Sequence, residues 1–352
     1  MVSLPRKSPR SRKREPVWAA YSDDDLLKLR FKDLKLSLAG TWVEDCIAQM
    51  HHELDTRGIE VRAHAWLSTE WFSPHDTPGI AVPFYLAHPR LARLERKMVL
   101  EVEGGTVREC MRILRHEAGH VVQRAYGLHR RKRWRELFGN ASKRYPDFYR
   151  PNPTSRRHVQ HLRRWYAQCH PDEDFAETFA VWLGPRARWK KRYADWPALQ
   201  KLQYVDELMD ELDGVKPPPK PRTTMEPLHS LTTTLGQHYR DKQKRFSVEA
   251  PTVFDRDLLK IFSADPAHRK APAATTVIRK HRAQIMHSVA RETGEYPLAL
   301  DHALDDVIDR SRVLKLRAPG SGQTMRRKLT ALLTAKSVTS LYSSGRRQTF
   351  AV

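Results

Sequence analysis

The sequence predicts an α+β domain over residues 17–213, then a Pro-rich linker over 214–224 and a mainly α-helical module over 225–352. Three observations carry this. Residues 106–127 read as one long helix signalled at both ends. Two stretches upstream alternate apolar and polar residues with the period of two that a half-buried strand requires. Beyond GVKPPPKPR at 214–222, only helical spacing recurs.

Composition sets the bounds. A chain of 352 residues has room for two domains with a substantial core in at least one. No run of eighteen apolar residues occurs, and no apolar stretch follows the basic start, so neither a membrane span nor a secretory signal is expected, and the expected location is cytoplasmic. Cys46, Cys110 and Cys169 are too few and too scattered for a disulfide framework, and no CxxC pair is present. Reduced, packed thiols are the expectation. A net charge of +22 implies attraction to polyanions such as nucleic acid, anionic lipid or acidic protein, without choosing among them.

Residues 1–16, MVSLPRKSPRSRKREP, read as a disordered basic arm. The globular pattern starts at Val17, and Leu34, Leu36 and Leu38 alternate as a strand would. Thr41 with Glu44 forms a capping box opening an amphipathic helix that ends near Gly58. Val61, Ala63, Ala65 and Leu67 mark a half-buried strand, and a second runs from Gly79 to Leu86. Pro83 confines that second strand to a sheet edge, where an extended peptide could add by backbone hydrogen bonds. Met98 to Glu103 is one more strand candidate.

Next comes TVRECMRILRHEAGHVVQRAYG, in which Thr106 and Glu109 form the N-terminal cap and Gly127 the stop. Val107, Met111, Leu114, Ala118, Val121 and Ala125 form an apolar stripe, with His116 and His120 on the opposite side. Two imidazoles four residues apart stand one turn apart, so both can ligate one zinc ion, and Glu117 projects beside them toward a bound water. The basic run LHRRKRWREL that follows fits a solvated helix face or the lining of a cleft for acidic substrates. Residues 140–163 read as irregular, with a short helix near 159–166.

A zinc ion on two histidines needs a third protein ligand. Pro171 to Gly184 is a Pro-initiated, Gly-terminated helix, with Glu173 and Glu177 on one face and Phe175, Phe179 and Trp182 on another. Asp172, Glu173 and Glu177 all remain candidates on this reading, since first-turn acids also complement the helix dipole. One glutamate can bind the metal while the other orients a ligand histidine. His170 beside the helix reads as a cap or a surface group.

HEAGH followed by EDFAETFA resembles the gluzincin metallopeptidases, in particular the catalytic domain of anthrax lethal factor. HPDEDFAETFAVWLGP, with WFSPHDTPGIAVPFYLAHPRL upstream, resembles a bacterial family of zinc-binding metallopeptidases. The likeness runs from about Leu26 to Leu212 and implies a zincin-like domain that hydrolyses peptide bonds. It implies zinc on His116, His120 and Glu173, Glu117 as base, Glu177 as support, and Tyr166 as a hydroxyl for the developing oxyanion. Asp172 and Ala176-Glu177 depart from the thermolysin branch, so that branch's substrate preferences do not transfer.

Residues 196–212 read as a helix closing the domain, and helical patterns follow at about 225–246, 254–262, 274–293, 297–314 and 324–342. The last part carries Arg279-Lys280-His281-Arg282 and Arg326-Arg327-Lys328. With the N-terminal arm it forms the expected contact for a polyanion. The competing reading from another class is therefore a non-catalytic nucleic-acid-binding protein with a vestigial or structural metal site.

Overall fold

The computed structural model describes residues 15–343 except 76, 147, 186–187, 248–252 and 254, together with 346–347. The expected arm at 1–16 lies outside the described residues apart from its last two. The fold is α+β and mostly helical.

The chain starts with a 3₁₀ turn at Val17–Ala20, α1 at Asp23–Lys28 and a second 3₁₀ turn at Phe31–Leu34. That second turn replaces the strand expected around Leu34, Leu36 and Leu38. Lys35 takes a left-handed conformation, and the Leu34 carbonyl accepts a hydrogen bond from the Trp18 indole, so this segment has no partner strand. The helix α2, Trp42–Asp55, is opened by the Thr41 hydroxyl, which accepts from the Glu44 N–H. The Glu44 carboxylate turns back to the Gly40 N–H, one residue before the usual capping-box partner.

Strands β1, His64–Ser68, and β2, Gly79–Pro83, pair in parallel. Pro83 does end β2, but β2 is not an open edge: all five of its residues are buried, and Ala81 donates to the Phe72 carbonyl on the side away from β1. The expected landing edge for a peptide is thus covered by the chain itself.

No strand forms at Met98–Glu103. The helix α3, Pro89–Val99, occupies its beginning, started by Pro89 after the His88 cap and ended by Leu100 in a left-handed conformation. Apolar residues at 91, 94, 98 and 99 have helical spacing, which also covers part of the strand pattern.

The helix α4, Val107–Tyr126, runs as expected from the Thr106 cap to Gly127, which is left-handed at φ 64°. It packs among α2, β2 and α6 and is buried on nearly all sides from Cys110 to Ala125. Val107 is the exception to its expected stripe, being exposed at the first turn. Next come α5, Lys132–Phe138, and a short strand β3, Phe148–Tyr149, paired with β4, Arg346–Arg347. In the basic run, Trp134 is fully buried, while Arg131 and Arg133 pair with Glu211 and Glu207.

The helix α6, Pro171–Leu183, is followed by α7, Trp189–Arg192, and α8, Ala198–Asp210. After the Pro-rich stretch come α9, Leu235–Ser247, α10, Asp255–Leu258, α11, Ala274–Thr293, α12, Pro297–Val313, and α13, Gly322–Ser343. The first core runs from Trp18 to Leu212 and takes in Leu228, Leu235, Tyr239 and Leu298; a second runs from Leu258 to Leu333. Packing therefore carries the segment at 225–247 with the first core, whereas the sequence pattern groups it with the helical module. The anchor is Lys242 of α9, buried between Glu70 and Glu95 at 3.2 and 3.0 Å. No described helix is long and apolar enough to cross a membrane. All three cysteines are buried and none is in a disulfide.

Candidate metal centre

The helices α4 and α6 cross at Gly119. A Cβ built there would stand 2.8 Å from the Ala176 Cα and 3.1 Å from the Ala176 carbonyl oxygen, so the crossing accepts only a hydrogen on α4. This close approach brings Glu173, three residues before Ala176, against the two histidines of α4. Gly119 of HEAGH therefore has a structural part as well as a place in the pattern.

His116 Nε2 lies 3.0 Å and His120 Nε2 3.3 Å from the same oxygen of Glu173, and the two Nε2 atoms are 3.2 Å apart. Zinc–ligand bonds of about 2.0–2.1 Å in a tetrahedral site place neighbouring ligand atoms about 3.3 Å apart. The three atoms thus already outline one face of a zinc-sized tetrahedron, and two imidazoles with one carboxylate are a donor set zinc accepts. Among the described residues this is the one group of three or more histidine, cysteine or acidic side chains placed to hold an ion.

The surrounding contacts orient these donors. His116 Nδ1 is 3.0 Å from Glu177 Oε1, while Glu177 Oε2 accepts from the Leu162 N–H at 2.8 Å. With the Nδ1 proton donated to Glu177, the Nε2 lone pair of His116 points to the centre. His170 starts α6 by accepting the Asp172 N–H on Nδ1, as a cap would, and its Nε2 reaches the Lys143 carbonyl.

Electrostatics follow from burial of opposite charges. Burial opposes charging of His116, but Glu173 and Glu177 against its two nitrogens outweigh that and raise its pKa to about 10. Burial also works against the Glu173 carboxylate, yet His120 and His116 hold it well below the ordinary range. For Glu117 burial dominates and pushes its pKa up. Glu117 lines the same pocket, and its Oε2 is buried with no hydrogen-bond partner among the described residues. An unsatisfied buried carboxylate oxygen beside three convergent donors fits a site that also receives water and substrate.

Tyr166 sits on a 3₁₀ turn at Arg163–Gln168, later and shorter than the helix expected at 159–166, because Arg164 and Trp165 both take positive φ. Its ring centre is 5.8 Å from that of His116, and it lines the metal pocket. Two further residues there escape the sequence reading. Tyr145 donates its hydroxyl to Glu173 Oε1 at 3.0 Å and stacks on His170 at 3.7 Å. Arg124, one turn beyond His120, is buried and donates to the Ser73 and Pro74 carbonyls. Arg124 stands four residues after His120, a spacing that could have flagged it; Tyr145 lies in an irregular stretch with no local signal.

These residues form a candidate site for a divalent metal between the HExxH helix and the helix that carries Glu173. Residues 93–193, which carry both helices, match the model of the family described as "putative zinc-binding metallo-peptidase". No curated protein and no solved structure matches the chain.

Proposed function

We propose that this chain is a zinc-dependent metallopeptidase of the gluzincin kind, with a zincin-like catalytic domain. The observation that carries the reading is the convergence of His116, His120 and Glu173, with all three ligand atoms within 4.8 Å of one another, beside the unpartnered Glu117 carboxylate. The family match over 93–193 supports it.

His116, His120 and Glu173 would hold the ion, and Glu177 would fix the His116 ring through Nδ1. When bound, zinc supplies Lewis acidity, lowering the pKa of a water toward neutrality and polarising the scissile carbonyl. Glu117 takes the proton of the attacking water and delivers it to the leaving amine. Tyr166 is the hydroxyl assigned to the developing oxyanion. Tyr145 holds the outer oxygen of Glu173, so that the other oxygen faces the histidines.

The test is zinc content and hydrolysis of a mixed peptide library measured together. Purified protein should hold about one zinc per chain, with hydrolysis that ceases in Glu117→Gln while zinc stays bound. Zinc retained by His116→Ala/His120→Ala, or turnover retained by Glu117→Gln, overturns the reading.

A further inference from the structure

We propose that the cleft beside the metal pocket is a subsite for a lysine or arginine side chain of a peptide running past Glu117, with Glu103 as the residue that reads the charge. This rests on the peptidase reading for its placement, though not for its test.

The cleft and the metal pocket share two wall residues, Ile113 and Leu162. Ile113 is one turn before His116 on α4 and Glu109 two turns before, about 10 Å along the helix axis. An extended peptide advances about 3.3–3.6 Å per residue, so a side chain within a few residues of the scissile bond falls over this cleft.

Its three carboxylates are not equally matched. Arg164 is committed to Glu295 at 2.9 Å and to the Gly294 carbonyl, and it lies 3.6 Å over the Tyr296 ring. Arg163 is committed to Glu101 at 2.5 Å, with Glu109 at 3.9 Å. Arg112 faces Glu177 and Glu109. Among the described residues Glu103 has no ion-pair partner, although it lines the cleft with Glu101 and Glu109. Arg163 and Lys242 are the cations that act on Glu103, but Arg163 is held by Glu101 and Lys242 by Glu70 and Glu95, so Glu103 is the lining carboxylate left without a contacting counter-ion among the described residues. Burial first, then Glu101 and Glu70, pushes the Glu103 pKa up to about 8, a penalty that an entering cation would relieve.

The second module takes part. Tyr296, just before α12, lines the cleft beneath the Arg164 guanidinium. The helical module therefore completes the substrate site of the first domain.

The test uses the full-length, zinc-loaded Glu117→Gln protein and calorimetry with four peptides identical except for arginine, lysine, norleucine or glutamate at one position, scanned across both sides of the central bond. At one position the arginine and lysine peptides should bind at least tenfold more tightly than norleucine. Adding Glu103→Gln should abolish that difference, whereas Glu103→Asp should preserve it. Glu103→Gln should keep its melting temperature, since burial already favours the neutral form. No binding, equal binding, a preference for glutamate on Arg112, or a basic preference that survives Glu103→Gln overturns the subsite. Wild-type hydrolysis of the same peptides is scored separately: charge-dependent binding without cleavage would remove the peptidase reading and leave the subsite standing.

Discussion

At the scale of single residues, both nitrogens of His116 have an identifiable partner, Glu177 at Nδ1 and Glu173 at Nε2. Glu177→Gln keeps the shape but weakens the acceptor for His116 Nδ1, so zinc affinity should fall about 10–100-fold in competition with a chromophoric chelator. Tyr145→Phe, which releases Glu173 Oε1, should lower zinc affinity in the same assay. Tyr166→Phe should lower kcat while zinc binding stays unchanged; a loss of zinc instead would make Tyr166 a structural support. The ligand histidines and the base were legible because the pattern HExxH encodes its geometry in one helical turn. Glu173 was legible only down to a choice among three acids, because the direction of α6 relative to α4 is a tertiary fact. Tyr145 was illegible because it reaches Glu173 from a stretch without periodicity.

At the scale of elements, the crossing of α4 and α6 decides whether a site exists. Gly119→Ala must push the Ala176 backbone away, at a cost of about 1–3 kcal/mol, and should carry Glu173 out of reach of the histidines. Denaturant unfolding and zinc stoichiometry check both effects; a variant with full zinc and unchanged midpoint would show that the crossing is not tight. Helices with caps were read well: Thr106 to Gly127, Pro171 to Gly184 and Thr41 onward all carry their boundary chemistry in sequence. Short apolar runs were read less well. Leucines alternating at 34, 36 and 38 suit a strand, but a strand needs a neighbour, and the backbone there turns at Lys35 instead.

At the scale of the whole molecule, α9 ties the helical module to the first core through Lys242, held between Glu70 and the buried Glu95. Lys242→Met would leave the buried Glu95 without its ion-pair partner, while Arg245 remains 3.5 Å from Glu70, and should destabilise the protein by about 3–5 kcal/mol in denaturant titration. Composition marked 214–224 as a spacer, yet it could not show that the next helix folds back, since Lys242 looks in sequence like any surface lysine. Burial also lowers the pKa of both His161 and His238 to about 4. Between pH 6.5 and 4 the unfolded chain binds protons that these folded imidazoles refuse, so the stability they contribute is lost as pH drops through that window. Relative to His238→Phe, where the new ring sits between Phe31 and Phe84, the melting temperature of the wild type should fall between pH 7 and pH 4.5. An identical slope in that variant would exclude His238 as a contributor.

The metal centre is tested most directly by a crystal structure with anomalous data collected on both sides of the zinc edge. A single strong peak is expected, bonded to His116 Nε2, His120 Nε2 and a Glu173 oxygen, with a remaining coordination position facing Glu117. A peak elsewhere, or none at this site in zinc-supplemented crystals, would contradict it.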